Sequence, residues 1–150
     1  IVRDRPIPIP GNGQHFTQFG HVKDLAIAMT KVLGNQQAIG QIYNISGDRC
    51  VTFDGLARAC AIAAGKSADE LTIIHYDPKK FDFGKRKAFP MRAQHFFAAI
   101  HKAKADLDWS PTFDLVAGLQ DSYQNDYLVS GRNQATIDVS TDDEILAAVA

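Results

Sequence analysis

Six cations fall between positions 79 and 92: Lys79, Lys80, Lys85, Arg86, Lys87 and Arg92, with Phe81, Phe83 and Phe89 set among them. Cations at this density neutralise phosphates, and aromatic faces between them stack on unpaired bases. The chemistry open to such a stretch is therefore the binding of a single-stranded nucleic acid, with Phe83 and Phe89 as the stacking residues. The surrounding residues 75–104 hold eight Lys/Arg against two Asp/Glu, whereas residues 105–150 hold one against nine. The net charge of −1 thus conceals a basic segment followed by an acidic one. The competing reading is that these are two solvated faces that partly neutralise each other, with each phenylalanine in the core.

Cleavage of a phosphodiester requires a base, an acid or a metal beside the scissile phosphate. The titratable groups nearest the basic segment are His75, Asp77, His95 and His101, none with metal-ligand spacing, so no catalytic residue and no metal site is assigned. His75 also suits a hydrogen-bonded strand end, and His21 and Asp24 suit the entry of a helix. Two motif matches fail on physical grounds. Gly11-Asn-Gly13 resembles the start of a dinucleotide fingerprint, but the third glycine is missing and a strand follows, so no helix N-terminus faces a pyrophosphate. Tyr76 and Lys80 have Tyr-x-x-x-Lys spacing, which needs a helix to put both side chains on one face, and Pro78 breaks any helix there. Cys50 and Cys60 lack metal spacing and read as small buried hydrophobes in a reducing compartment.

The elements that position these residues alternate between strand and helix. With 150 residues, 45% of them hydrophobic, the chain can bury one core. No apolar run approaches the roughly 18–20 residues that span a bilayer, and no signal-peptide pattern opens the chain, so no membrane partner is expected. Pro6, Pro8 and Pro10 alternate with Ile7 and Ile9, as on an edge strand. An extended run at residues 16–20 leads into a helix with Val22, Leu25, Met29, Val32 and Leu33 on one apolar face, stopped by Gly34. Residues 42–45 (IYNI) read as a strand covered on both faces. Thr52 caps a helix whose inward face is Phe53, Leu56, Ala57, Cys60, Ala61 and Ala64. A strand over residues 71–76 follows, then an irregular stretch carrying the cations and Phe81, Phe83, Phe89, Phe96 and Phe97. A short helix over residues 101–107, a helix capped by Asp114 or Thr112, and a capping box at residues 141–144 complete an α/β pattern in one domain over residues 1–150.

The order His21-Val-x-Asp24-Leu25, then Gly40-x-Ile-Tyr43-Asn44-Ile45, then Thr52-Phe-Asp-Gly-Leu56, then Lys102-Ala-x-x-Asp106-Leu107-x-Trp109-x-Pro111 resembles the substrate-side half of extended short-chain dehydrogenases, the epimerase/dehydratase family. Residues 3–11 (RDRPIPIPG), 75–79 (HYDPK), 87–92 (KAFPMR) and 95–98 (HFFA) resemble one branch, the chloroplast stem-loop-binding proteins and their cyanobacterial relatives. The resemblance implies the C-terminal, substrate-side portion of a Rossmann-type fold with the cofactor half missing, the chain beginning in mid-fold. It also implies RNA binding with endoribonuclease activity in the intact protein, in a chloroplast stroma or a cyanobacterial cytoplasm.

Two departures qualify that expectation. Thr17 stands where nucleotide-sugar epimerases carry an arginine for the substrate's phosphates, and losing that guanidinium argues against nucleotide-sugar chemistry. Asp108 replaces the glycine of the Leu-Gly-Trp element. Three functions stay open: an RNA-binding module acting in RNA processing or stabilisation; the substrate half of an NAD(P)-dependent epimerase, dehydratase or reductase, with Thr17, His21 and Asn44 near its pocket; and a non-catalytic docking domain. This chain is expected to hold no cofactor and not to act as a dehydrogenase alone, with NAD(P) left to the intact protein and a divalent metal left open. The expected partners are RNA, a missing N-terminal half or partner chain, and a homo-oligomer or ribonucleoprotein assembly.

Overall fold

Pro8 and Pro10 decide how the first strand can pair. In the computed structural model, which describes residues 1–149, β1 (Ile7–Pro10) runs parallel to β4 (Ile73–Tyr76), with Ile9 opposite His75. The Ile7 amide donates to the Thr72 carbonyl (2.9 Å) and the Gly11 amide to the Tyr76 carbonyl (2.8 Å). Odd positions therefore donate to β4, so the missing proline amides cost no ladder bond and leave the other edge unable to recruit a further strand. The second small sheet pairs β2 (Phe16–Gln18) antiparallel with β3 (Cys50–Thr52).

The helices are capped largely as the sequence requires. α1 (Val22–Lys31) starts at His21, whose Nδ1 accepts from the Lys23 amide (3.3 Å), and Gly34 takes a positive φ of 73° just beyond it. α2 (Phe53–Ala63) starts at Thr52, whose hydroxyl accepts from the Gly55 amide (3.0 Å). α3 (His101–Leu107) is short, and α4 (Leu115–Ser122), capped by Asp114 through the Ala117 amide (2.8 Å), continues as a π-helical turn, Tyr123–Leu128. α5 (Ser140–Val149) begins two residues earlier than the capping box implies, since Thr141 as N-cap would make Asp142 the first helical residue. Asp138 accepts from the Ser140 amide (2.9 Å), and Thr141 lies inside the helix. α5 returns onto β1 and β4 with Ile145 fully buried.

Three expectations are corrected. The apolar face of α1 is not inward: Val22 is 70% exposed, and Leu25, Met29, Val32 and Leu33 are exposed as well, while Asp24 and Ala28 are buried. Helical period shows that a face wants burial, not that the same chain supplies the cover. Residues 42–45 form no strand, and Ile42 is 86% exposed. A strand exists only within a ladder, and no strand among the described residues pairs with this segment; side chains of α3 hold it instead. Lys102 Nζ donates to the Gln41 side chain (2.6 Å) and the Ile42 carbonyl (3.3 Å), and the Tyr43 hydroxyl donates to Asp106 (3.1 Å). Cys50 is exposed and Cys60 half-buried, so only Cys60 acts as a packed hydrophobe, and burial pushes its thiol pKa up.

Two apolar clusters result. Ala28, Ile100, Ala103, Leu107 and Trp109 pack between α1 and α3, against Tyr43 and Ile45. Ile9, Phe53 and Ala57 pack beneath β1 and β4, against Ile73, Phe89 and Met91. Among the described residues, no helix is long and apolar enough to cross a membrane.

Candidate nucleic-acid interface

The cations of residues 79–92 sit on two turns and the loop after them. Lys79 and Lys80 lie in a 3-10 turn that Asp77 caps through the Lys79 amide (3.0 Å). Lys85, Arg86 and Lys87 follow a turn made by Gly84, whose φ of 57° suits glycine and whose amide donates to Asp82 (2.9 Å). All six, Arg92 included, are exposed. Arg86 is engaged: its guanidinium donates to Glu144 (2.9 Å) and lies over the Phe83 ring at 5.8 Å. The other five have no acidic partner among the described residues. The acidic segment therefore neutralises one cation of the six by direct contact.

The two phenylalanines read as stacking residues are differently placed. Phe89 packs on the buried Phe53 ring, with centroids 4.9 Å apart, and belongs to the core beneath β1. Phe83 stacks flat on Phe81, with centroids 5.4 Å apart and planes at 5°, and Phe81 in turn meets Tyr76 edge-on. Both rings are thus engaged by neighbouring side chains, Phe89 by Phe53 and Phe83 by Phe81 and Arg86.

The titratable residues near the cations gather around the Gly11-Asn12-Gly13 loop. His75 Nε2 donates to both oxygens of Asp54 (2.9 and 3.1 Å). His15 lies 5.3 Å from His95, ring centroid to centroid, and 5.6 Å from Phe53. His95 Nδ1 accepts from the Phe16 amide (3.1 Å). Asp77 is spent on its turn, and His101 opens α3. His15, Phe16 and Asp54 escaped the sequence reading because their partners are distant in sequence, 21 positions for Asp54 and His75 and 79 for Phe16 and His95, and share no period with them. Among the described residues, no group of three or more His, Cys, Asp or Glu is placed to hold a metal ion.

This loop does not fit a dinucleotide. A Cβ on Gly13 would fall on the Asp54 carboxylate and within 2.6 Å of His75 Nε2, so this glycine makes room for the Asp54–His75 pair. A carboxylate there would repel a pyrophosphate, and β2, not a helix, follows the loop. Tyr76 is buried at the end of β4 with the Pro78 turn between it and Lys80.

Among the described residues, Thr17 and His21 line different cavities. Thr17 is buried in β2 and lines a hollow of about 310 Å3 with Phe53, Met91, Arg92, Gln94 and Phe96. His21 lies against Phe113 (centroids 4.0 Å apart) with Nε2 3.1 Å from Asp121, and the two cavities beside it share no residue with the Thr17 hollow. Asn44 is exposed and donates to the Ala99 carbonyl (3.3 Å). Asp24, one turn into α1, is a staple. Its carboxylate, 1% exposed, accepts from the Thr112 hydroxyl (2.6 Å) and the amides of Thr112 (3.0 Å) and Phe113 (3.1 Å), and its carbonyl accepts from the Trp109 indole (3.0 Å). Burial pushes this carboxyl up, but those three donors and nearby His21 hold it below the usual carboxylate range.

Asp24 thus joins the His-Val-x-Asp-Leu element to the Leu-x-Trp-x-Pro element, and Tyr43 with Asp106 joins the middle element to the same helix. Contacts between these elements are what a shared fold requires. No protein-family model matches the chain. Over 143 residues, 95% of this chain and 37% of the relative, it is 57% identical to the chloroplast stem-loop binding protein of 41 kDa b of Arabidopsis thaliana. The chain is a homologue of that protein.

Solved structures agree on the fold. A UDP-glucuronic acid 4-epimerase from Bacillus cereus, in complex with NAD, superposes with a TM-score of 0.61 at 26% identity, covering 86% of this chain and 36% of that one. A dTDP-glucose 4,6-dehydratase from Bacillus anthracis gives 0.60 at 20%, covering 85% of this chain and 37% of its own. An epimerase from Methanothermobacter thermautotrophicus gives 0.63 at 16%, covering 87% and 36%. At such identities the last two show the fold alone. The α/β architecture is therefore that of part of a Rossmann-type epimerase/dehydratase chain, and this chain spans little more than a third of the length of these relatives.

Proposed function

We propose that this chain is an RNA-binding module acting in RNA processing or stabilisation in a chloroplast, and that the intact protein cleaves RNA. The observation that carries the reading is the set of five exposed cations, Lys79, Lys80, Lys85, Lys87 and Arg92, without acidic partners among the described residues. Cations held apart from carboxylates keep their charge for an external anion, and the homologue's name supplies the class of anion, a stem-loop. The nucleotide-sugar alternative has less support: Thr17 offers a buried hydroxyl where a phosphate partner would be needed, and His21 is closed in by Phe113 and Asp121.

The test is the salt dependence of RNA affinity. Binding to phosphates releases condensed counterions, so log K falls against log salt by roughly 0.7 per contact for single strands. If Lys85 and Lys87 both contact phosphate, replacing both with alanine flattens the slope by about 1.4, equally for RNAs of different sequence. An unchanged affinity and slope would sink the proposal and favour a docking domain.

A further inference from the structure

Five rings run in contact from the interior to the surface. Phe89 lies on Phe53 (4.9 Å), Phe53 on His15 (5.6 Å), His15 on His95 (5.3 Å) and His95 on Phe16 (5.4 Å). The inner end is core, but the outer end is not: Phe16 and His95 are exposed, and Phe96 beside them is 61% exposed. Two bonds fix this outer end. The Phe96 amide donates to the Phe16 carbonyl (2.8 Å), and the Phe16 amide donates to His95 Nδ1 (3.1 Å). Because Nδ1 accepts, the proton of the neutral imidazole sits on Nε2, which has no partner among the described residues.

The hollow beside Thr17 opens at the same place. Phe96, Arg92 and Gln94 line it together with Met91 and Phe53, and none of its lining residues is acidic. We propose that this outer end is a subsite for one unpaired nucleotide. The base stacks on the exposed Phe96 and Phe16 rings, and the flanking phosphate meets Arg92. The His95 Nε2–H and the Gln94 amide donate to base carbonyl oxygens or to the phosphate. The chemistry of the rim selects this ligand. An apolar protein surface laid over Phe96 would strip water from the Arg92 guanidinium and an imidazole N–H without replacing it, whereas a nucleotide offers a flat ring and several acceptors together. This inference rests on the RNA-binding reading and moves the stacking role from Phe83 and Phe89 to residues whose rings face solvent.

The experiment uses the whole chain and two RNAs with equal numbers of phosphates: a hairpin with 2-aminopurine in its unpaired loop, and a blunt duplex. Wild-type protein should quench the 2-aminopurine on binding. Phe96→Ala should abolish the quench and weaken hairpin binding by about 5- to 150-fold, the range expected of one base–aromatic stack, leaving duplex affinity and the salt slope unchanged. Phe96→Trp should retain the quench, and the melting temperature should not move, since the ring is exposed. If Phe96→Ala binds the hairpin as wild type does while the Lys85/Lys87 variant loses salt slope, the subsite is overturned and RNA binding stands. If Phe96→Ala changes only self-association, the surface is a protein contact and the subsite is again overturned. If wild-type protein binds neither RNA, both readings fall.

Discussion

Replacing Asp24 tests how the fold is held together. The carboxylate is 1% exposed and accepts three hydrogen bonds, from the Thr112 hydroxyl and the amides of Thr112 and Phe113. Asparagine keeps the shape but only one acceptor oxygen, and its amide nitrogen must face a backbone N–H. A bond to a charged group contributes about 1.5–3 kcal/mol, and an orphaned buried donor costs about 1–3 kcal/mol. These terms overlap, because a freed hydroxyl can rotate, so Asp24→Asn should cost about 2–3 kcal/mol and Asp24→Ala about 3–5 kcal/mol. For a chain of this size the asparagine variant should melt about 4–12 °C lower. The chain's single tryptophan makes a local reporter, since the Trp109 indole donates to the Asp24 carbonyl at 3.0 Å. Urea and thermal unfolding followed by both tryptophan emission and circular dichroism would give the cost. The effect must also depend on pH. The folded carboxyl lies below its usual value, so its contribution is complete above the unfolded value of about 3.9 and is lost as pH falls through the folded value. The gap between wild type and Asp24→Asn should therefore narrow in acid. A gap that stays constant from neutral pH to about pH 3, or a melting shift under about 2 °C, would refute the staple.

Four further outcomes follow from particular contacts. Glu144→Gln should free Arg86, steepening the RNA salt slope by about 0.7 and tightening binding at low salt; an unchanged slope would mean that Arg86 points away from RNA in either state. Phe89→Ala should lower stability by about 3 kcal/mol in a denaturant titration, because its ring packs on Phe53, and should leave the RNA affinity of folded protein unchanged. Ile42→Asp should reduce self-association or partner binding in sedimentation experiments, because Ile42 is a large apolar side chain left 86% exposed; a wild-type chain strictly monomeric at high concentration would contradict this. Calorimetric titration with NAD or NADP should give no saturable site at micromolar concentrations, because Asp54 and His75 occupy the space beside Gly13.

Local rules determined a good deal of this molecule. The alternating prolines of β1, the caps at His21, Thr52 and Asp114, the turn at Gly84 and the extent of α3 follow from side chains acting on backbone within a few residues. The basic run was equally legible, because charge needs no partner to be counted. What lay beyond the sequence was every property that depends on a neighbour. Residues 42–45 have the composition of a buried strand, but a strand requires a ladder, and among the described residues none adjoins them. The α1 period marks a face for burial without saying what covers it, and the packing buries Asp24 and Ala28 instead. Phe83, Phe89 and Phe96 are one residue type in one irregular stretch. Only packing separates a ring on Phe53 and a ring on Phe81 from one left open beside Arg92, because which face of a side chain meets solvent depends on contacts up to 80 residues away.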